Sequence, residues 1–161
     1  MTSGASGSVG KGDAPMAKDG HNDELKPTGF TARLLKRFAI DPAFPAFEPD
    51  LLVEDSLDLR PWGIAGRAIQ RPGHTPGSLV VLFEDGRAVV GDLMLGGYLG
   101  GAILPHRAGE HYFHADLARN LENIRWLLAQ GAKEFYLGHG GPVDRAAVIE
   151  AFGVATPAAP K

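Results

Sequence analysis

Apolar and polar positions are most regular in the middle of the chain. Ser78–Phe83 (SLVVLF) and Arg87–Val90 (RAVV) are short apolar runs on either side of Glu84-Asp85-Gly86, and an Asp-Gly pair between two such runs predicts a β-hairpin. Farther on, Leu117, Leu121, Ile124, Leu127 and Leu128 recur at helical spacing, with Gly131 placed to cap the end. That stretch is the best helix in the chain. A short strand follows at Glu134–Leu137, then a Gly-His-Gly-Gly-Pro turn and a last helix from Val143 to Phe152. Upstream, Thr28–Phe38 sets Phe30, Leu34, Leu35 and Phe38 at helical spacing, and the prolines of IDPAFPAFEPD end it. Leu51–Val53 and Ala65–Gln70 read as strands separated by the turn-rich Arg60-Pro61-Trp62-Gly63. Residues 1–25 carry few large apolar side chains and read as a tail or weak element, and 156–161 as a disordered tail.

Strands and hairpins come first, then helix, strand, turn and helix, which predicts an α+β class with helices covering a sheet. A length of 161 residues fits a single domain, placed at 1–155. Zero cysteines exclude disulfides, thiolate catalysis and Cys-based metal sites, so any metal must be held by His, Asp or Glu. A net charge of −3 with no Lys/Arg cluster argues against nucleic acid as a partner. The absence of an apolar run of ~18 residues argues against a membrane span. With no secretory signal in the first 25 residues, the expected location is cytoplasmic. The 22 glycines and 12 prolines point to many turns between short elements. Trp62 and Trp126 are read as packing residues.

Three segments place a ligand-capable side chain in a tight turn at a strand end: RPGHTPGS with His74, VVGDLM with Asp92, and FYLGHGGPV with His139. Neutral imidazole and carboxylate oxygen suit zinc, and iron or manganese as well. Between them, Gly91–Gly101 reads as a glycine-rich loop, followed by three histidines within 106–114. Tyr98, His111, Tyr112 and His114, with His106, are candidates to line a substrate site. A plainer reading has His114 and Asp116 start the following helix and the rest decorate a surface loop. The glycines at 96, 97, 100 and 101 match no phosphate-binding pattern.

The run RPGHTPGSLVVLFEDGRAVVGDLM, together with FYLGHGGPV, resembles the metallo-β-lactamase superfamily. The likeness covers roughly residues 65–145 with specific motifs. It implies an αββα sandwich with a metal site at one edge of two packed sheets. It also implies that His74, Asp92 and His139 are metal ligands, Asp92 bridging two zinc sites and orienting the nucleophile as the catalytic carboxylate. Iron or manganese would serve the same ligands. The implied activity is hydrolysis of a small thioester, ester or lactone by metal-activated water, from two ions about 3.5–4 Å apart. The family's upstream H-x-H-x-D-H motif does not occur here, and the only histidine before His74 is His21. GASGSVGKGDAPMA is similar to the stretch that usually follows that motif, with "APM" as a strand. The expectation is therefore a partial sandwich missing its first strands, each metal keeping two protein ligands, with weak metal affinity and impaired activity.

Two readings follow. One is a metal-dependent hydrolase acting on a small-molecule substrate. The other is a non-catalytic remnant that self-associates as a homo-oligomer through an uncovered sheet edge.

Overall fold

The computed structural model describes residues 7–22, 25–30, 32–34 and 43–153. Its centre is a six-stranded sheet of β4 (Ser56–Asp58), β5 (Gly66–Gln70), β6 (Leu79–Phe83), β7 (Arg87–Gly91), β11 (Glu134–Leu137) and β12 (Val143–Asp144). The strands lie in the order β12-β11-β7-β6-β5-β4. All neighbours run antiparallel except β11 and β7, which are parallel. The remaining pairings are two-stranded: β1 (Ser8–Gly10) with β3 (Leu51–Val53), β2 (Lys26–Pro27) with β10 (Phe113–His114), and β8 (Leu95–Tyr98) with β9 (Ile103–Gly109).

The hairpin predicted from Asp85-Gly86 is present as β6–β7, with Val81 opposite Val89 and Leu82 opposite Ala88. Period-two alternation sends Val80, Ala88 and Val90 to one face, where they are buried with Phe135. Two helices cover that face: α2 (Leu117–Ala129), through Ile124, Leu127 and Leu128, and α3 (Arg145–Phe152), through Val148. Each helix begins on an aspartate whose side chain accepts a backbone N–H of the first turn, Asp116 from Arg119 and Asp144 from Ala147. The class is mixed α and β, with one large sheet and its helical layer.

Several expectations need correction. The last helix starts at Arg145 rather than Val143, because Asp144 is extended as its cap and Val143 pairs with Phe135. The glycine-rich stretch is the β8–β9 hairpin rather than a loop. Of the two readings of the N-terminal region, described residues 7–22 fit the weak element and not the tail. They form β1 and then α1 (Ala14–Asp19), which begins with Pro15 in its first turn and buries Ala14, Met16 and Ala17. "APM" is therefore helical, not a strand. In the helix expected at 28–38, residues 30 and 32–34 are helical, but Phe30 and Leu34 are exposed and Ala32 is the buried residue. Leu35 and Phe38 lie outside the described residues, as does the 156–161 tail. Trp62 is exposed in a one-turn 3-10 segment, whereas Trp126 packs against the core under the Arg71 guanidinium.

Candidate metal centre

Three strand ends converge. His74 sits in the turn between β5 and β6, closed by Arg71 N–H donating to Ser78 O at 2.7 Å and Thr75 N–H to Ser78 Oγ at 2.8 Å. Asp92 is the first residue past β7, and His139 lies two residues past β11. The Asp92 carboxylate stands between the two imidazoles: Oδ2 is 3.8 Å from His74 Nε2, and Oδ1 is 3.8 Å from His139 Nε2. Both gaps are too long for hydrogen bonds. Oδ1 is buried and finds no hydrogen-bond partner among the described residues. A carboxylate oxygen left bare beside two imidazoles has the donor chemistry of a cation site, because tetrahedral bonds of ~2.0–2.1 Å set ligand atoms about 3.4 Å apart.

Two histidines expected to line the substrate site stand with this cluster. One ligand atom from each of His74, Asp92 and His111 lies within 4.8 Å of the others. The His111 ring is edge-on to His74, with centroids 4.5 Å apart, and stacked with His139 at 6.1 Å. His114 is buried behind them, its ring 5.6 Å from His74 and 5.8 Å from His111, with neither nitrogen hydrogen-bonded among the described residues. Burial holds the His74 and His111 imidazoles below their ordinary value, His111 being lowered further by His74. Burial, reinforced by His74 and His111, pushes His114 down to about 4. All three are neutral near pH 7, the form that coordinates metal.

The glycines of these turns have steric reasons. A Cβ on Gly138 would collide with Asp92 Oδ1, so the residue before His139 must leave room for the carboxylate. A Cβ on Gly96 would collide with Gly141 N, and Gly96 N–H donates to His139 O at 2.8 Å. Thus β8 presses its backbone directly on the His139 turn.

Sequence reasoning missed the residues that hold the turns. On the buried face of α2, Asn120 Nδ2 donates to Leu93 O at 2.6 Å, next to Asp92, and Asn123 Nδ2 donates to Pro72 O at 2.8 Å, ahead of His74. Asp13 accepts from Thr75 Oγ1 and Gly77 N–H, in the same turn just past His74. Thr28 Oγ1 donates to His111 O at 3.0 Å. A polar residue interrupting a buried apolar stripe was the available signal for the two asparagines.

The other expected lining residues are less central. The Tyr112 ring is 6.3 Å from His111. Tyr98 lies partly exposed in a separate cleft of about 760 Å³ between β8, β9 and α3, which also takes His106 and Arg107 and none of His74, Asp92, His111 and His139. Among the described residues no helix is long and apolar enough to cross a membrane.

No protein-family model and no curated protein matches the chain. Solved structures do match. An archaeal metallo-β-lactamase superfamily protein from Sulfolobus tokodaii is 20% identical, with a TM-score of 0.53, over 91% of this chain and 56% of its own. A metallo-β-lactamase family protein from Thermus thermophilus is 20% identical, with a TM-score of 0.54, over 93% of this chain and 51% of its own. TTHA1623, solved in a di-iron-bound form, is 19% identical, with a TM-score of 0.53, over 87% of this chain and 60% of its own. The chain thus spans between half and two thirds of the length of these neighbours. Over that span it has the fold of metallo-β-lactamase superfamily proteins.

Proposed function

We propose that the protein is a metal-dependent hydrolase in which His74, Asp92 and His139 hold a divalent cation, zinc, iron or manganese, and a small thioester, ester or lactone is the substrate. The observation that carries this reading is the Asp92 carboxylate, one oxygen facing each imidazole and Oδ1 buried without a donor among the described residues. Held by these residues, a divalent cation would supply a water of lowered pKa, near ~7, and polarisation of the substrate carbonyl. The chain's own contribution is positioning. Phe113 O accepts from His74 Nδ1 at 2.9 Å, so the proton stays on that nitrogen and Nε2 presents its lone pair to the cluster. Asp92 is fixed from behind by the Asn120 bond to the next carbonyl along the chain. The His139 side chain is half exposed, so substrate approaches from its side while His74 and His114 close the other.

The test is metal content by elemental mass spectrometry on protein purified without chelator, followed by a screen of thioesters, esters and lactones. Metal near stoichiometric with the chain, falling in His74→Ala, is expected. Less than about a tenth of an equivalent in both would refute the reading.

A second reading has its own observation. Val89 and Tyr136 are paired on interior strands, on the face opposite the helices, and both are partly exposed. Such a face favours pairing with a second copy, which light scattering on the purified protein would read as a dimer mass.

A further inference from the structure

We propose that His111 is a protein ligand, so that His74, Asp92 and His111 together form a three-ligand site for a single divalent cation, with the open position toward His139. The inference rests on the metal-binding reading above and changes one of its ligands, His111 taking the third place in the site and His139 standing at the open position.

Geometry carries the proposal. A catalytic zinc site takes three protein ligands and keeps one position open. His74 and Asp92 supply two, and the third ligand atom within reach, all inside 4.8 Å, belongs to His111. Closing to about 3.4 Å asks each side chain to move by roughly an ångström or less. His111 is buried, with only 8% of its surface exposed, so it is not a surface histidine that happens to be near.

The orientation of its ring is the second observation. Phe113 O lies 2.9 Å from His74 Nδ1 and 3.0 Å from His111 Nδ1. One carbonyl has two lone pairs, and here both face imidazole Nδ1 atoms. The Phe113 N–H also lies 3.2 Å from His111 Nδ1, a longer contact that would need the opposite tautomer. With the proton on Nδ1, donated to the nearer carbonyl, His111 Nε2 is the free lone pair, as in His74. A backbone carbonyl holding the far nitrogen of a ligating histidine is the usual outer-shell arrangement of metal sites. Here a single carbonyl orients both rings.

The loop is also braced to hold this position. Thr28 Oγ1 donates to the carbonyls of His111 and Tyr112 at 3.0 and 3.1 Å, and Thr28 N–H donates to Tyr112 O at 2.9 Å. Ala115 N–H donates to His74 O at 2.9 Å, joining the two histidine segments directly. Their relative placement is therefore set by backbone bonds rather than by side-chain packing alone.

The experiment uses the full chain stripped of metal, titrated with Zn(II) against a chromophoric chelator and with Co(II) followed by visible absorption. One equivalent per chain is expected. His111→Ala should weaken zinc by about 100-fold or more, at or beyond the loss seen for outer-shell partners, and should change the Co(II) spectrum. His21→Ala should match wild type, since His21 is exposed and bonded to Asp19 O. If wild type binds and His111→Ala matches it in affinity and spectrum, His111 is not a ligand, while the hydrolase reading stands. Binding of two equivalents overturns the single-ion site in the same way. If wild type binds nothing, both readings fail. Should His111→Ala not fold, long-range 1H–15N correlation on wild type decides. A zinc-induced move of His111 Nε2 to the metal-bound range supports the proposal, and a move of His74 Nε2 alone overturns it.

Discussion

Removing the Asp13 carboxylate should destabilise the fold through a turn sixty residues away in sequence. Asp13 Oδ2 accepts from Thr75 Oγ1 at 2.6 Å, and Oδ1 accepts from Gly77 N–H. Both donors are part-buried in the turn that carries His74, and a Cβ on Gly77 would collide with Asp13 N, so the surfaces touch with no room for replacement water. Hydrogen bonds to a charged partner contribute about 1.5–3 kcal/mol each, less where solvent reaches them. Two part-buried bonds place Asp13→Ala at about 2–4 kcal/mol. Asp13→Asn keeps one oxygen as acceptor and should cost about half as much. Thr75→Val removes the hydroxyl's bond to Asp13 and its 2.8 Å contact with Ser78 Oγ, at about 1–3 kcal/mol, and the double variant should cost less than the sum because the two changes share the bond to Asp13. Urea unfolding in chelator, read as the change in midpoint at constant slope, isolates the effect from metal binding. An Asp13→Ala protein within ~0.5 kcal/mol of wild type, the range of neutral surface changes, would show that residues 8–19 do not dock on the His74 turn.

Two further outcomes follow from the site. In metal-free protein, stability should fall between pH 7 and about 4.5. His114 is held at about 4 in the folded chain, against 6.5 when free, so the unfolded state binds the extra proton across that window and stability is lost as pH drops. The His114 share is about 2–3 kcal/mol at about pH 4.5, and His74 and His111 act in the same direction. Urea midpoints of His114→Leu should show a shallower fall than wild type, and an identical pH profile would contradict the assignment. Gly138→Ala should lower zinc affinity at least about tenfold while leaving the fold intact, because the new methyl occupies the space of Asp92 Oδ1. Chelator competition with a thermal melt reads both, and unchanged affinity would mean that Oδ1 takes no part in binding.

What could be read from sequence was local. The β6–β7 hairpin depends on Asp85-Gly86 and two adjacent apolar runs, and α2 on a periodic stripe ending before Gly131, whose φ is +83°. His74, Asp92 and His139 stand out because each is a polar residue delivered by a strand into a tight turn, and the structure does bring these three together. What could not be read was set by tertiary contact. Gly96 and its neighbours looked like a loop because glycine carries no periodic signal, yet β8 needs glycine to lie against the His139 turn. Residues 8–17 read as a tail or weak element because they carry few large apolar side chains, and glycines stand at 10 and 12 where the backbone packs on the turn at Pro76 and Gly77. Helical spacing placed Phe30 and Leu34 on one face, but spacing alone does not say whether that face is covered, and in the fold both side chains are exposed.

His111 shows where sequence reasoning stops and why. Both as a lining residue and as a ligand it needs the same histidine at the same place, and the observation that bears on the ligand reading is the Phe113 carbonyl two residues on, which no side-chain pattern reports. The same holds for Asn120 and Asn123. As positions on a helix they are breaks in an apolar stripe, yet each caps a backbone carbonyl beside a residue of the cluster, Leu93 O next to Asp92 and Pro72 O ahead of His74. A buried carbonyl without a donor costs about 1–3 kcal/mol, so these side chains satisfy a need created by ending strands inside the fold. The strand ends that bring His74 and Asp92 together therefore also create the unpaired carbonyls, and the helix that covers them supplies amides at those points. An asparagine on the buried face of a covering helix thus marks a strand end worth inspecting for a site, and a carbonyl shared by two imidazoles marks which histidines are held as a pair.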